Sequence, residues 1–220
     1  MKTLNYIPVV ILSVLLFGCG LDNYDEPSSQ LTGKIIYNGE TIGVRHASVI
    51  FDLYQDSYEL SNTIEVFVDQ DGTFSSMLFD GDYRMVARDN NGPWLNGSQP
   101  VEFSVKGNTQ IEYKVTPYYT FSNVSIVRTG NNIAGACTLN KVDGSREVEE
   151  ITLYVGKTRF VDDRDYNKLV SANQIPVAGV NNLTVNISEI EAKYPVLYAR
   201  LGVRISGVSQ RIFSEIVQIK

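Results

Sequence analysis

The feature that most limits what this chain can become is a period of two. From Leu31 onward, apolar side chains recur at alternate positions, and turn formers interrupt them at short, regular spacing. Successive side chains of a strand point to opposite faces, so this pattern builds sheets with a buried side, whereas a helix repeats every 3.6 residues. Residues 31–37 run into Asn38-Gly39, and 47–53 alternate Val49, Phe51 and Leu53 against polar neighbours. Glu65-Val66-Phe67-Val68 leads into Asp71-Gly72, the strongest hairpin signal in the chain, which Thr73-Phe74 leaves. Asp80-Gly81-Asp82 turns into 83–87, and strands at 101–105 and 111–115 are expected to pair around Lys106-Gly107-Asn108. Pro117 marks a domain boundary. After it strands are read at 120–127, 136–142, 150–155, 174–177, 183–187, 196–205 and 210–219. Leu197, Ala199, Leu201, Val203 and Ile205 alternate cleanly and should face a core, while Ser188-Glu189-Ile190-Glu191 reads as one capped helical turn ahead of Pro195. The expected class is all-β, with two antiparallel β-sandwich domains in tandem over 31–117 and 118–220.

The N-terminus has a different character. Lys2 precedes an apolar stretch over 7–17, and the segment ends at Leu16-Phe17-Gly18-Cys19. An apolar run of about eleven residues is too short to span a bilayer, which takes about twenty. The ending looks like a bacterial lipobox, so residues 1–18 are expected to be a lipoprotein signal peptide and Cys19 the lipidated residue. Residues 19–30 read as an acidic tether carrying Asp22, Asp25 and Glu26, which resembles the signal that exports some lipoproteins to the outer face of the outer membrane. Gly20 stands where an inner-membrane retention aspartate would be. The expected location is therefore the outer membrane, with the chain lipid-anchored and facing the exterior.

Charge and cysteine count exclude several classes. The net charge of −6 loses Lys2 on processing, giving −6 − 1 = −7 over 220 − 18 = 202 residues. An acidic chain lacks the clustered cations that phosphate backbones require, so no nucleic acid is expected as a partner. With Cys19 carrying lipid, Cys137 has no disulfide partner, and its small, apolar neighbours make it a buried, inert thiol.

His46 is the single histidine, and no G-x-S-x-G, H-E-x-x-H or glycine-rich phosphate loop is present, so neither an enzyme nor a cofactor is expected. Glu149, Glu150, Asp162, Asp163 and Asp165 offer carboxylates for a glycosidase pair, but the short connections give little to wall a cleft. Asp69-Gln70-Asp71-Gly72 reads as a turn, not a calcium loop. Asp162, Asp163 and Asp165 are weak calcium candidates against the plainer reading of a solvated charged loop, and no metal is expected. Loop 90–98 holds Trp94 among Asn90, Asn91 and Asn96, which would suit a sugar ring stacked on the indole with amides on its hydroxyls. The alternative is that Trp94 plugs the end of the sandwich. Tyr118 and Tyr119 form a second aromatic candidate at the domain junction, with interdomain packing as their alternative.

Leu31-Thr32-Gly33, Asp69-Gln70-Asp71-Gly72-Thr73-Phe74 and Asp80-Gly81-Asp82-Tyr83-Arg84-Met85-Val86-Ala87 resemble the carboxypeptidase-regulatory-like (prealbumin-like) module, without the proline expected in 43–47. From Cys19 on, the chain is similar to a lipoprotein family of unknown function encoded beside SusC- and SusD-type glycan-import proteins, with an immunoglobulin-like second domain. Leu201-Gly202-Val203-Arg204-Ile205 and Phe213-Ser214-Glu215-Ile216-Val217 resemble that family's last hairpin. The resemblance implies a non-enzymatic surface lipoprotein of a polysaccharide-uptake system, with a glycan and SusC/SusD-type proteins as partners. The alternative is a structural or docking subunit of an outer-membrane transporter or adhesin that touches no sugar.

Overall fold

The structure, a computed structural model, describes residues 25–55, 63–164, 167–177 and 179–220. The expectations for the signal peptide, Cys19, Asp22 and Asp165 lie outside the described residues. The architecture is all-β, in two tandem sandwiches.

In the first sandwich, one sheet centres on β1 (Ser29–Tyr37), so the expected tether gives way to strand at Ser29. β2 (Glu40–Thr41) and β5 (Thr73–Leu78) pair with β1 antiparallel, and β8 (Thr109–Lys114) pairs with it parallel. The facing sheet has the order β4 (Ile64–Phe67), β3 (Ile50–Gln55), β6 (Gly81–Ala87), β7 (Val101–Val105). Leu31, Ile35, Phe74 and Tyr113 meet Phe51, Leu53, Met85 and Val105 between the sheets, with the Phe51 ring 4.5 Å from Tyr113 and 5.8 Å from Phe74.

Two expected pairings are replaced here. The turn before Thr73 forms, with Gly72 N donating to Asp69 O at 3.0 Å, yet only Val68 and Phe74 bridge across it. Ile35 N donates to Gly72 O and draws the next strand onto β1, in the other sheet. Strands β7 and β8 likewise do not pair around residues 106–108. Gly107 N donates to Asp80 Oδ1 and Ser29 Oγ, both at 3.1 Å, and the chain crosses the end of the sandwich to the open edge of β1. That crossing gives the one parallel pair among the described strands, which otherwise pair antiparallel.

The second sandwich faces a sheet of β13 (Val180–Asn186), β10 (Asn132–Lys141) and β9 (Tyr119–Thr129) against another of β12 (Val170–Gln174), β11 (Val148–Gly156) and β14 (Tyr198–Ile205). The stretch read as 210–219 is two short strands on β14, β15 (Ile212–Phe213) and β16 (Val217–Gln218). Leu197, Ala199, Leu201, Val203 and Ile205 are buried, as their alternation requires. Cys137 is fully buried among them, and burial pushes its thiol up to about 11. The strand read at 174–177 lies earlier, at β12, because Asn181 holds the segment after it out of the ladder. Its Oδ1 accepts from Val177 N at 2.9 Å, and its Nδ2 donates to Val177 O and Gly179 O. The helical turn forms as α1 (Ser188–Glu191), but its cap position is Ile187, and Asn186 Oδ1 accepts the Ser188 N–H at 3.0 Å.

The sheet containing β14 is buried on both faces, which alternation did not indicate. Arg200 and Gly202, on the side opposite the core, are sealed by Phe213, Tyr154 and the first domain. Arg200 is 1% exposed and spends its donors on carbonyls alone: Ser214 O at 3.0 Å in its own domain, and Val44 O and Gln70 O at 3.4 and 3.2 Å in the other. Its guanidinium lies 4.4 Å from the Phe213 ring centroid. Burial pushes its pKa down to about 9, so it remains a cation at neutral pH, with Asp162 and Asp71 acting only at range. Phe213 N also donates to Gly43 O at 2.9 Å, a backbone bridge between the domains.

Candidate functional site

The junction collects most of the aromatic residues singled out from sequence, and it closes them. Leu95 N donates to Thr116 O at 2.9 Å and Tyr118 N to Pro93 O at 3.2 Å, docking loop 90–98 onto the interdomain link. The indole of Trp94 lies against Gly92, where a Cβ would collide with it, and only 4% of Trp94 is exposed. A sugar stacked on this ring would need a free face, so the indole acts as a plug. Tyr118 is also buried, with the Arg146 guanidinium 5.5 Å from its ring centroid. Trp94, Asn96 and Tyr118 do share one cleft of about 180 Å³, with Asn90, Arg146 and Ser209. Asn91 and Tyr119 face away from it into structural roles. Asn91 Oδ1 accepts from Ile50 N at 2.6 Å, and Tyr119 Oη donates to Arg146 O at 3.1 Å. Burial, first of all, raises the Tyr119 phenol above its ordinary value.

Of the three weak calcium candidates, the two described ones, Asp162 and Asp163, are engaged by arginine. Asp162 is 1% exposed, and its carboxylate accepts from Arg164 Nε and Nη2 and, at 2.9 Å, from Asn167 Nδ2. Asp163 bridges Arg45 at 3.2 Å and Arg211 at 3.3 Å, tying the two domains together. Guanidinium groups thus take up most of the lone pairs of these two carboxylates. The other acids of the loop-and-strand cluster are similarly engaged: Glu150 with Arg211 at 3.1 Å and Glu149 with Arg204 at 3.2 Å. Desolvation opposes ionisation of Glu150, but bonds from Asn173, Thr152 and Arg211 prevail and hold its pKa below the usual value. His46 lies at the surface, where its Nδ1 is 2.6 Å from Asp69 Oδ1.

A different surface has the chemistry expected of Trp94. Strand register places Ser75 beside Thr32, and Thr32 beside Gln110, while Thr73 lies beside Lys34 and Lys34 beside Glu112. The bridge between Val68 and Phe74 sets Phe67 opposite Ser75 and Asp69 opposite Thr73. Period two puts all of these on the outer face of the first sandwich. The result is a groove of about 330 Å³ with a floor of Thr32, Thr73 and Ser75, the Phe67 ring on one flank and Gln110 on the other. Phe67 is 48% exposed. Beside it Lys34 is paired with Glu112 at 3.2 Å, and Asp69 Oδ1 lies 2.6 Å from His46 Nδ1. Sequence reading passed over Phe67, although the signal is there: Val66 and Val68 take the inward positions, so Phe67 must point out with Glu65.

Two tandem sandwiches sharing a junction define the class, a two-domain all-β protein. Residues 29–116 match the model described as the N-terminal domain of the protein of unknown function DUF3823, and residues 119–218 match the DUF3823 C-terminal domain of unknown function. The chain belongs to the DUF3823 family. It is similar to a solved family member from Parabacteroides merdae, with 39% identity over 89% of this chain and 100% of that one, at a TM-score of 0.82. A member from Bacteroides ovatus is 34% identical over 87% of this chain and 98% of that one, with a TM-score of 0.79. A Bacteroides uniformis protein described as a "putative carbohydrate binding protein" shares the fold at 20% identity, covering 89% and 100% of the two chains with a TM-score of 0.70. No curated protein matches the chain.

Proposed function

We propose that this protein is a non-enzymatic surface lipoprotein that contacts glycan, held to the outer membrane by lipid on Cys19 and acting beside a polysaccharide-uptake system of the SusC/SusD type. The observation that carries the reading is the outer groove. A half-exposed Phe67 offers a flat apolar face for the C–H side of a sugar ring; the Ser75 hydroxyl and Gln110 amide both donate and accept toward sugar hydroxyls, while Thr32 and Thr73, whose hydroxyls donate to Thr109 O and to Asp71 Oδ1, offer acceptor lone pairs. With Lys34 paired to Glu112 and Asp69 hydrogen-bonded to His46, the surface suits an uncharged chain. An open groove of this kind holds its ligand weakly, with Kd on the order of 1 mM, and binding is multiplied when many copies meet one polymer at a membrane. The description of the Bacteroides uniformis relative agrees with this reading. The resemblance of the two domains to carboxypeptidase-regulatory-like and immunoglobulin-like modules fits a stalk that would present the groove away from the membrane. Gel electrophoresis through neutral polysaccharides tests it: at least one glycan should retard the wild-type protein and release the Phe67→Ala variant.

A second reading, a docking subunit that touches no sugar, has one observation in its favour. Asn181 stiffens a loop that exposes Ile175 at 80%, Val177 at 60% and Val180 at 56%, an apolar tip suited to a protein partner. A stable partner recovered from solubilised membranes, together with no retardation by any glycan, would favour this second reading.

A further inference from the structure

We propose that the cleft at the domain junction is a separate site for an acidic sugar unit, whose anionic group is held by Arg146. Arg45, Arg88, Arg128, Arg204 and Arg211 are each paired with a carboxylate. Arg146 lines the cleft without one among the described residues: its Nη1 donates to Ser206 O at 3.0 Å and its plane lies over Tyr118. A guanidinium has five N–H donors in a planar fork that matches carboxylate and sulfate oxygens. One donor is used here, and the rest remain for a ligand. The cation is also held in place by the fold. Gly207 adopts a φ of +66°, which favours glycine, and a Cβ there would meet Nη1 of Arg146, so glycine leaves room for the guanidinium in this position.

The surroundings narrow the ligand class. Asn90 Oδ1 accepts from Asn96 Nδ2 at 3.1 Å, which leaves the Asn90 Nδ2 donor without a partner among the described residues. The Ser209 hydroxyl donates to Asn90 O at 3.1 Å and keeps its acceptor lone pairs. These neutral groups suit sugar hydroxyls, and the edges of Trp94 and Tyr118 supply an apolar wall. A cleft of about 180 Å³ lies below the roughly 300–1,000 Å³ of drug-sized pockets, so it takes a single ring, not a buried oligosaccharide. The inference stands independently of the Phe67 groove, which carries no unpaired cation.

Titration calorimetry on the detergent-solubilised full-length protein tests it with galacturonate, its methyl ester, galactose and galactose 6-sulfate. Galacturonate or the sulfate ester should bind about ten-fold or more tighter than galactose and the methyl ester, and added salt should reduce that preference. Whichever anion is preferred identifies carboxylate or sulfate as the group recognised. Arg146→Gln should abolish the preference, Arg146→Lys should retain part of it, and Gly207→Ala should weaken it without changing any charge. Phe67→Ala should leave it intact. Equal affinity for all four sugars, no binding by either anion, or a preference that survives in a folded Arg146→Gln protein would overturn the proposal.

Discussion

The domain junction and the outer face of the first sandwich each set an aromatic ring among small polar groups, yet they are opposite kinds of surface. In the buried seam of the junction, beneath the cleft, the polar groups are bonded within the protein: Asn91 to Ile50 and Ser48, Tyr119 to Arg146, and Arg200 to three carbonyls. On the outer face, exposed Ser75 and Gln110 stand beside an open ring, with Thr32 and Thr73 keeping acceptor lone pairs toward it. A tryptophan in a turn-rich loop therefore says little by itself. What decides its role is whether neighbouring backbone groups, such as Pro93 O and Thr116 O here, pair around it and shut it in.

The contrast can be broken by substitution. Arg200→Ala should have the largest effect, because it leaves a cavity and strips donors from Val44 O, Gln70 O and Ser214 O in a sealed interface. A loss of about 3–5 kcal/mol is expected in urea unfolding; a loss below about 1 kcal/mol would mean the junction is not the tightly sealed seam described. Trp94→Ala should cost about 3 kcal/mol, as removal of a buried indole does. If instead its stability were unchanged and glycan retention vanished, the roles of the two surfaces would be reversed. Phe67→Ala should shift stability by no more than about 0.5 kcal/mol while removing glycan retention.

Cys137 sharpens the same comparison from inside the core. With its thiol pushed up to about 11 by burial, it carries roughly 100-fold less thiolate at pH 8 than an ordinary cysteine. Alkylation followed by peptide mass spectrometry should find Cys137 unmodified in the folded protein and modified in urea. Rapid labelling of the folded chain would place an opening in the second sandwich.

The strands were legible because period two survives wherever one face is buried, and 197–205 is its clearest instance. Pairing was less legible. Asp71-Gly72 and Lys106-Gly107-Asn108 report that the chain bends, but not which sheet receives the next strand, and both lead across the sandwich. The acidic loop misled for a similar reason. The arginines that neutralise Asp163 lie 118 and 48 residues away, so no local window contains them. Phe67 was readable in principle, since an aromatic on the polar phase of an alternating strand must face solvent or a partner.

The central claim is that glycan is met on the outer face of the first sandwich, beside Phe67. Amide chemical-shift mapping during titration with a retained neutral polysaccharide fragment tests it most directly. The account predicts shifts concentrated at Thr32, Lys34, Phe67, Asp69, Ser75 and Gln110, with Ile175, Val177 and the core strands unmoved. Shifts confined to the apolar loop of the second domain, or none at saturating glycan, would contradict it.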